Sequence, residues 1–497
     1  MKNIKYVLLS AILIGFTACN DEADFEDQLD NPTVEVVLPD LTAGEADFSN
    51  YIAVGASFSG GFTDNALFIA GQQNSFPNLL SQKFALVGGG DFTQPLMNDN
   101  IGGFVLGTQV VSNPRLFFNG SGPAVLPATP TTQITDVLTG NFNNYGIPGA
   151  KSYHLGVAGY GTLNPYFGRM ASSAGATVLG DAVAQNPTFF TLSEIGGNDV
   201  LGYATSGGVG VDQTGNIDPS TYGSNDITDP NVFAASFSAS VDALTANGAK
   251  GVVANLPYIT SLAHFTTVPY NPVPLDAATA AALNQGYAAY NGGLQQAFAA
   301  LDGTGLFTAE ELAQRTISFS ESANNALVII DETLTDLGAI NPAFAGIPQY
   351  RQATADDLFV LPLSSLIPQG YGTQIPLEDK WALIPSEQLA LQTATDAYNA
   401  TIEAIAASKG LALVDFKGIL QEASTTGIQS GNFILTTDLV TGGLISLDGV
   451  HLTSRGYALM ANEMMKAIDT TYGTNFEASG NLIDAGEYPT NYPATLQ

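Results

Sequence analysis

Four short apolar runs, each bounded by glycine or proline and separated from the next by helix-period sequence, limit what this chain can fold into. Residues 51–54 (YIAV) run into Gly55, and residues 188–195 (TFFTLSEI) run into Gly196 and Gly197. Residues 251–256 (GVVANL) and 411–416 (LALVDF) repeat the pattern. Short runs of this kind read as fully buried strands. Between them, Phe233, Phe237, Val241 and Leu244 recur at helical spacing, with Gly248 beyond. Asp276 heads an alanine-rich helical stretch reaching about residue 301, and a last helix covers 454–468. Ser386 is the expected N-cap of a helix carrying Leu391, Ala394, Tyr398, Ile402 and Ile405, with Gly410 just past its end. Strand and helix in alternation predict an α/β fold, a parallel sheet covered on both faces, with reactive groups gathered at the carboxyl ends of its strands. Residues 303–385 break the alternation and read as a large insertion, a lid or substrate wall in which Trp381 is a packing residue. Residues 476–497 read as an irregular tail.

The first residues look like a targeting segment. Lys2 and Lys5 precede an apolar stretch, 7–16, that is too short for a confident membrane span. Thr17 and Ala18 then lead to Cys19, the one cysteine of the 497 residues. This pattern is similar to a bacterial lipoprotein signal of residues 1–18, with Cys19 lipidated, although Phe16 stands where leucine is usual. The segment 19–45 reads as an acidic flexible tether, and its first residues resemble surface-export signals of bacterial lipoproteins. The expected location is the cell envelope, anchored by lipid to the outer membrane on its periplasmic or outer face.

Charge and residue counts remove several function classes. The 46 acidic against 14 basic residues leave a net charge of -32, which repels phosphate backbones and argues against nucleic acid as a partner. A single cysteine allows no intrachain disulfide. Three histidines, His154, His264 and His451, leave little for a zinc site, and no metal or other cofactor is expected. The acidic loop holding Asp212, Asp218, Asp226 and Asp229 does not have the spacing of a calcium-binding loop and reads as solvated.

Histidine-dependent chemistry has better support. Ser57, in GASFSGG, follows the first strand on a turn that would present its hydroxyl at the sheet edge. Asp448 precedes His451 by three residues on one loop, so its carboxylate can fold back onto the imidazole and leave the other ring nitrogen as a base. Asn198 follows Gly196-Gly197 at a strand end, where its amide can donate to an oxyanion. Gly149, in NYGIPGA, has an N–H that a substrate can approach closely. Each pattern alone also suits an ordinary turn. His154 and His264 read as structural histidines.

Together, Ser57, Gly149, Asn198 and His451 stand in the order of the four blocks of the SGNH/GDSL hydrolases. GASFSGG resembles the first block, NYGIPGA the second, GGND the third and DGVHLTSRGYALMAN the last. The resemblance runs over about residues 50–471, within an expected hydrolase domain of 46–475. It implies a three-layer α/β/α sandwich on a flavodoxin-like parallel sheet. It also implies Ser57 as nucleophile, His451 as base and Asp448 as its orienter, with an oxyanion hole formed by Ser57, Gly149 and Asn198. The implied substrates are small-molecule, lipid or glycan carboxylic esters. Ala56 and Gly60 depart from the family's first block, which has aspartate at both places; the first aspartate supports the serine's loop. A carbohydrate O-acetyl esterase and a non-catalytic binding lipoprotein on the same fold are the competing expectations.

Overall fold

The computed structural model describes residues 37–497; the signal, Cys19 and most of the tether lie outside them. Five parallel strands form the central sheet: β1 (Tyr51–Gly55), β2 (Asn144–Gly146), β3 (Phe189–Ser193), β4 (Lys250–Ala254) and β5 (Ala412–Val414). Their spatial order is β5-β4-β3-β1-β2. Chain direction across the sheet reverses at β1 and β3, which is where doubly wound sheets open a crevice at their carboxyl ends. β1 and β3 are buried throughout, as expected of strands covered on both faces.

Helices cover both faces. On one, α1 (Phe76–Ala85) packs against α7 (Ser454–Tyr472), and α7 lies on β5. On the other, α4 (Pro230–Thr245) packs against both α2 (Val178–Ala184) and α5 (Pro385–Lys409). There too α3 (Asn198–Thr205) packs against α5, and α6 (Phe416–Thr425) follows β5 directly. Local sequence accounts for the ends. Asp229 caps α4 by accepting the N–H of Asn231 and Val232, and Gly410 ends α5 in the left-handed conformation. The expected cap Ser386 is not used: α5 starts at Pro385 on Ile384, and the Glu387 carboxylate accepts the Ile384 N–H at 2.8 Å. Proline suits a first helical position because the N–H it lacks would have no partner there.

The insertion is larger than the sequence suggests. The alanine-rich helix Ala277–Ala300 buries Leu283, Tyr287 and Leu294 in two small cores of its own with Phe319, Val328, Phe307 and Leu337. A third core gathers Val268, Leu327, Ile329, Phe359 and Leu377. Insertion packing therefore begins near Val268 rather than at 303. Arg351 is buried within it, donating to both oxygens of Asp357 at 2.6 and 2.7 Å and to Asp331. Among the described residues, one carboxylate trio, Glu332, Asp379 and Glu387, has oxygens within 4.8 Å of one another. Burial and the neighbouring acids push Asp379 up to about 6 and Glu387 up to about 8.

The described residues are packed close to both of their ends. Leu41 and Ala43 lie against the main core, and the Glu45 N–H donates to the Tyr472 carbonyl, so the expected tether ends short of residue 45. The tail is irregular but not loose. The guanidinium of fully buried Arg115 donates to the carbonyls of Tyr492, Pro493 and Leu496. Among the described residues no helix is long and apolar enough to cross a membrane.

Candidate active site

The site is built where β1, β2 and β3 end. β1 delivers Gly55 beside Gly146 of β2 and Ser193 of β3. Ala56 and a single helical turn, Ser57–Gly60, follow. Ser57 is 8% exposed. Its Oγ lies 3.0 Å from His451 Nε2, and His451 Nδ1 lies 2.9 Å from Asp448 Oδ2. With Nδ1–H donated to an ionised Asp448, Nε2 is the acceptor that faces the serine hydroxyl. The imidazole is walled by Phe62 and Phe58, with ring centroids 4.5 and 5.5 Å away.

Asp448 is held ionised by its surroundings. Burial opposes the charge, but the imidazole and three backbone N–H donors outweigh it and hold the carboxyl well below its usual range. Oδ1 accepts the Val450 and His451 N–H, each at 2.8 Å, and Oδ2 accepts the Asn65 N–H at 2.8 Å besides the imidazole. Asp64 and Asn65 both have positive φ, 51° and 65°. The Asp64 N–H donates to Ser446 Oγ, and Asp64 Oδ1 accepts the Leu447 N–H. This turn clamps the loop bearing the base to the segment bearing the serine. Sequence reasoning passed over it. The Asp-Asn pair after GASFSGG is the signal, since those two residues tolerate left-handed backbone.

The expected oxyanion donors are brought to one edge. The Ile147 N–H donates to the Gly55 carbonyl, which sets the Pro148–Gly149–Ala150 turn beside the serine turn. Gly149 has φ +78° in open space, a conformation that favours glycine. The N–H groups of Ser57 and Gly149 have no acceptor among the described residues. Asn198 opens the helix Asn198–Thr205, and one of its amide N–H bonds goes to the Ala150 carbonyl at 2.9 Å. That leaves one amide hydrogen for a ligand. The neighbouring Asp199 is fully buried and takes both the N–H and the hydroxyl of Ser152, at 2.8 and 2.7 Å. Asn198 and Asp199 thus tie the second and third blocks together.

An apolar cleft opens beside Ser57 and His451. Its walls come from the turn after β4 (Leu256, Ile259), from α6 (Ile419, Leu420) and from α7 (Leu459, Met460). Glu194 also borders it. The segment just before the insertion also holds this loop: the His264 N–H donates to the Gly449 carbonyl at 2.9 Å.

The remaining expected positions have structural roles. His154 stacks on Tyr160, accepts the Lys151 N–H, and is pushed down to about 4 by burial. His264 is half-buried, and burial lowers its pKa. The acidic loop is not simply solvated. Asp226 takes the N–H of Val211 and Gly223, and buried Asp229 takes those of Gly215 and Asn231. No family model, no curated protein and no solved structure matches this chain.

Proposed function

We propose that the protein is a serine hydrolase of the SGNH/GDSL type that cleaves carboxylic esters. The observation that carries this reading is the chain Ser57 Oγ to His451 Nε2 to Asp448 Oδ2, at 3.0 and 2.9 Å, at the mouth of an apolar cavity. The sheet order supports it, since in sequence terms it is 2-1-3-4-5, the flavodoxin-like order, with the triad at the switch point.

In this mechanism Ser57 Oγ attacks the ester carbonyl as His451 Nε2 takes its proton. The oxyanion that forms accepts from the N–H of Ser57, the N–H of Gly149 and the free amide hydrogen of Asn198. The C–O bond to the alcohol then breaks, and imidazolium returns the proton to the leaving oxygen. Water, deprotonated by His451, attacks the acyl-serine, and collapse of the second tetrahedral species frees the carboxylic acid and restores the serine hydroxyl. Asp448 stays ionised throughout and stabilises the imidazolium.

The apolar lining favours acyl esters over acetylated sugars, because an acyl chain would bury its methylenes against these aliphatic side chains. The deciding measurement is hydrolysis of a p-nitrophenyl ester series, acetate to palmitate, by the full chain and by Ser57→Ala. Activity lost in the variant establishes the nucleophile. An inert protein that also fails to react with a fluorophosphonate promotes the binding lipoprotein. An optimum at acetate promotes the O-acetyl esterase.

Envelope anchoring through lipidated Cys19 completes the proposal and rests on the arrangement of residues 2–19. Cys19→Ser moving the protein from the membrane to the soluble fraction is the expected outcome, and unchanged fractionation refutes it.

A further inference from the structure

The serine turn lacks a cap of its own. Ala56 stands at the N-cap position of Ser57–Gly60 and has no side chain able to accept a hydrogen bond. The N–H groups of such a first turn are without helical partners. Yet two of them are satisfied from another strand. Glu194, immediately after β3, accepts the Ala56 N–H at 2.6 Å and the Ser59 N–H at 2.8 Å, both on Oε1. These donors flank Ser57 on either side.

We infer that Glu194 is a positioning residue for the nucleophile: its carboxylate oxygen holds the turn that aims the Ser57 hydroxyl at His451 and leaves the Ser57 N–H free. This rests on the hydrolase reading above. Three independent features support it. Glu194 has φ +48°, a left-handed conformation that is strained for a non-glycine residue and persists where surroundings impose it. The carboxylate approaches so closely that a Cβ on Gly55 would lie 2.7 Å from Oε1 and 2.0 Å from Ser59 Oγ, so glycine is required there. The carboxylate is buried, and burial pushes it up to about 7. A group this costly to bury, bonded to the turn around the serine, does work an apolar residue cannot do. It also accounts for Ala56: the acceptor absent from the turn itself is supplied across the sheet.

The test compares Glu194→Ala, Glu194→Gln and the wild type as full chains, by kcat and KM on the best p-nitrophenyl ester and by amide exchange over residues 51–62. A misplaced nucleophile costs ~10²-fold. The expected result is that E194A loses about that much in kcat, with KM changed less than threefold and faster exchange at 56–59. E194Q, whose amide oxygen can accept the same two N–H groups, is expected to recover to within about tenfold of wild type and to restore protection. Three results overturn the inference: E194A with wild-type kcat, E194Q as impaired as E194A, or kcat loss with unchanged exchange. A wild type inert to every ester and to a fluorophosphonate overturns the hydrolase reading, and the positioning role with it. If exchange alone changes in that case, Glu194 is a structural cap only.

Discussion

Asp448→Asn is the most demanding perturbation of this site, because the carboxylate faces four N–H donors and no acceptor. Oδ1 receives two backbone N–H groups, and Oδ2 receives the Asn65 N–H and the imidazole. An amide can place its oxygen at only one of these positions. With oxygen at Oδ1, its NH₂ meets Nδ1 of His451, which then accepts; the ring proton moves to Nε2 and points at Ser57. The base becomes a donor, and the comparable tautomer reversal in other triads lowers kcat by ~10⁴. The Asn65 N–H is left without an acceptor, at a cost of about 1–3 kcal/mol in stability. With oxygen at Oδ2 the imidazole keeps its tautomer, but two backbone N–H groups lose their acceptor. The second arrangement orphans one donor more, so the first is favoured. The assays are kcat on the best p-nitrophenyl ester at pH 8 and urea denaturation. Combining Asp448→Asn with Ser57→Ala should lower the rate little beyond Ser57→Ala alone, because the residues act as a unit. A kcat for D448N within tenfold of wild type, in a protein less stable by the expected amount, would refute the tautomer argument.

Asn198→Ala should lower kcat by ~10²–10³ with a smaller change in KM, as loss of one oxyanion donor does; an effect confined to KM would make Asn198 a ground-state contact. Each methylene added to the acyl chain should raise kcat/KM by up to about fourfold, from about 0.8 kcal/mol per buried CH₂, until the cavity is full. Leu420→Trp, which narrows the cavity, should move the optimum to shorter chains; an unmoved optimum would show that acyl groups lie elsewhere. Glu387, raised from 4.5 to about 8, contributes stability that is full below about pH 4.5 and is lost as pH rises to about 8. The melting temperature should therefore fall across that range, and Glu387→Gln should flatten the fall. A profile unchanged by the variant would show that Glu387 titrates normally.

Four strands and the Asp448–His451 pair are legible in the sequence because each depends on neighbours along the chain, whereas the pairing of Ser57 with them is expected only from the order of the four blocks. Buried runs ending at glycine announce β1 and β3, and Asp448 needs only three residues to reach His451. β2 escapes notice because it is three residues long and begins with asparagine. The Ala277–Ala300 helix has a readable buried face, but periodicity cannot tell which core that face meets. Glu194, Asp64 and Asn65 act across hundreds of residues, and nothing local marks such partners. The tail's irregularity is legible, but its anchoring is not, because Arg115, Asn462 and Arg455 hold it from elsewhere in the chain.

The separation of Ser57 from His451, 394 residues along the chain, has a consequence for when reactivity appears. A chain emerging from its N-terminus carries the serine almost from the start, yet its base arrives only with the last tenth of the sequence. Closing so long a loop is entropically costly, and contacts this distant slow folding. Until α7 docks, Ser57 is an ordinary alcohol. On the proposed mechanism, a chain cut short before the loop that bears His451 is inert however well its sheet forms, and reactivity arises only once that loop has docked.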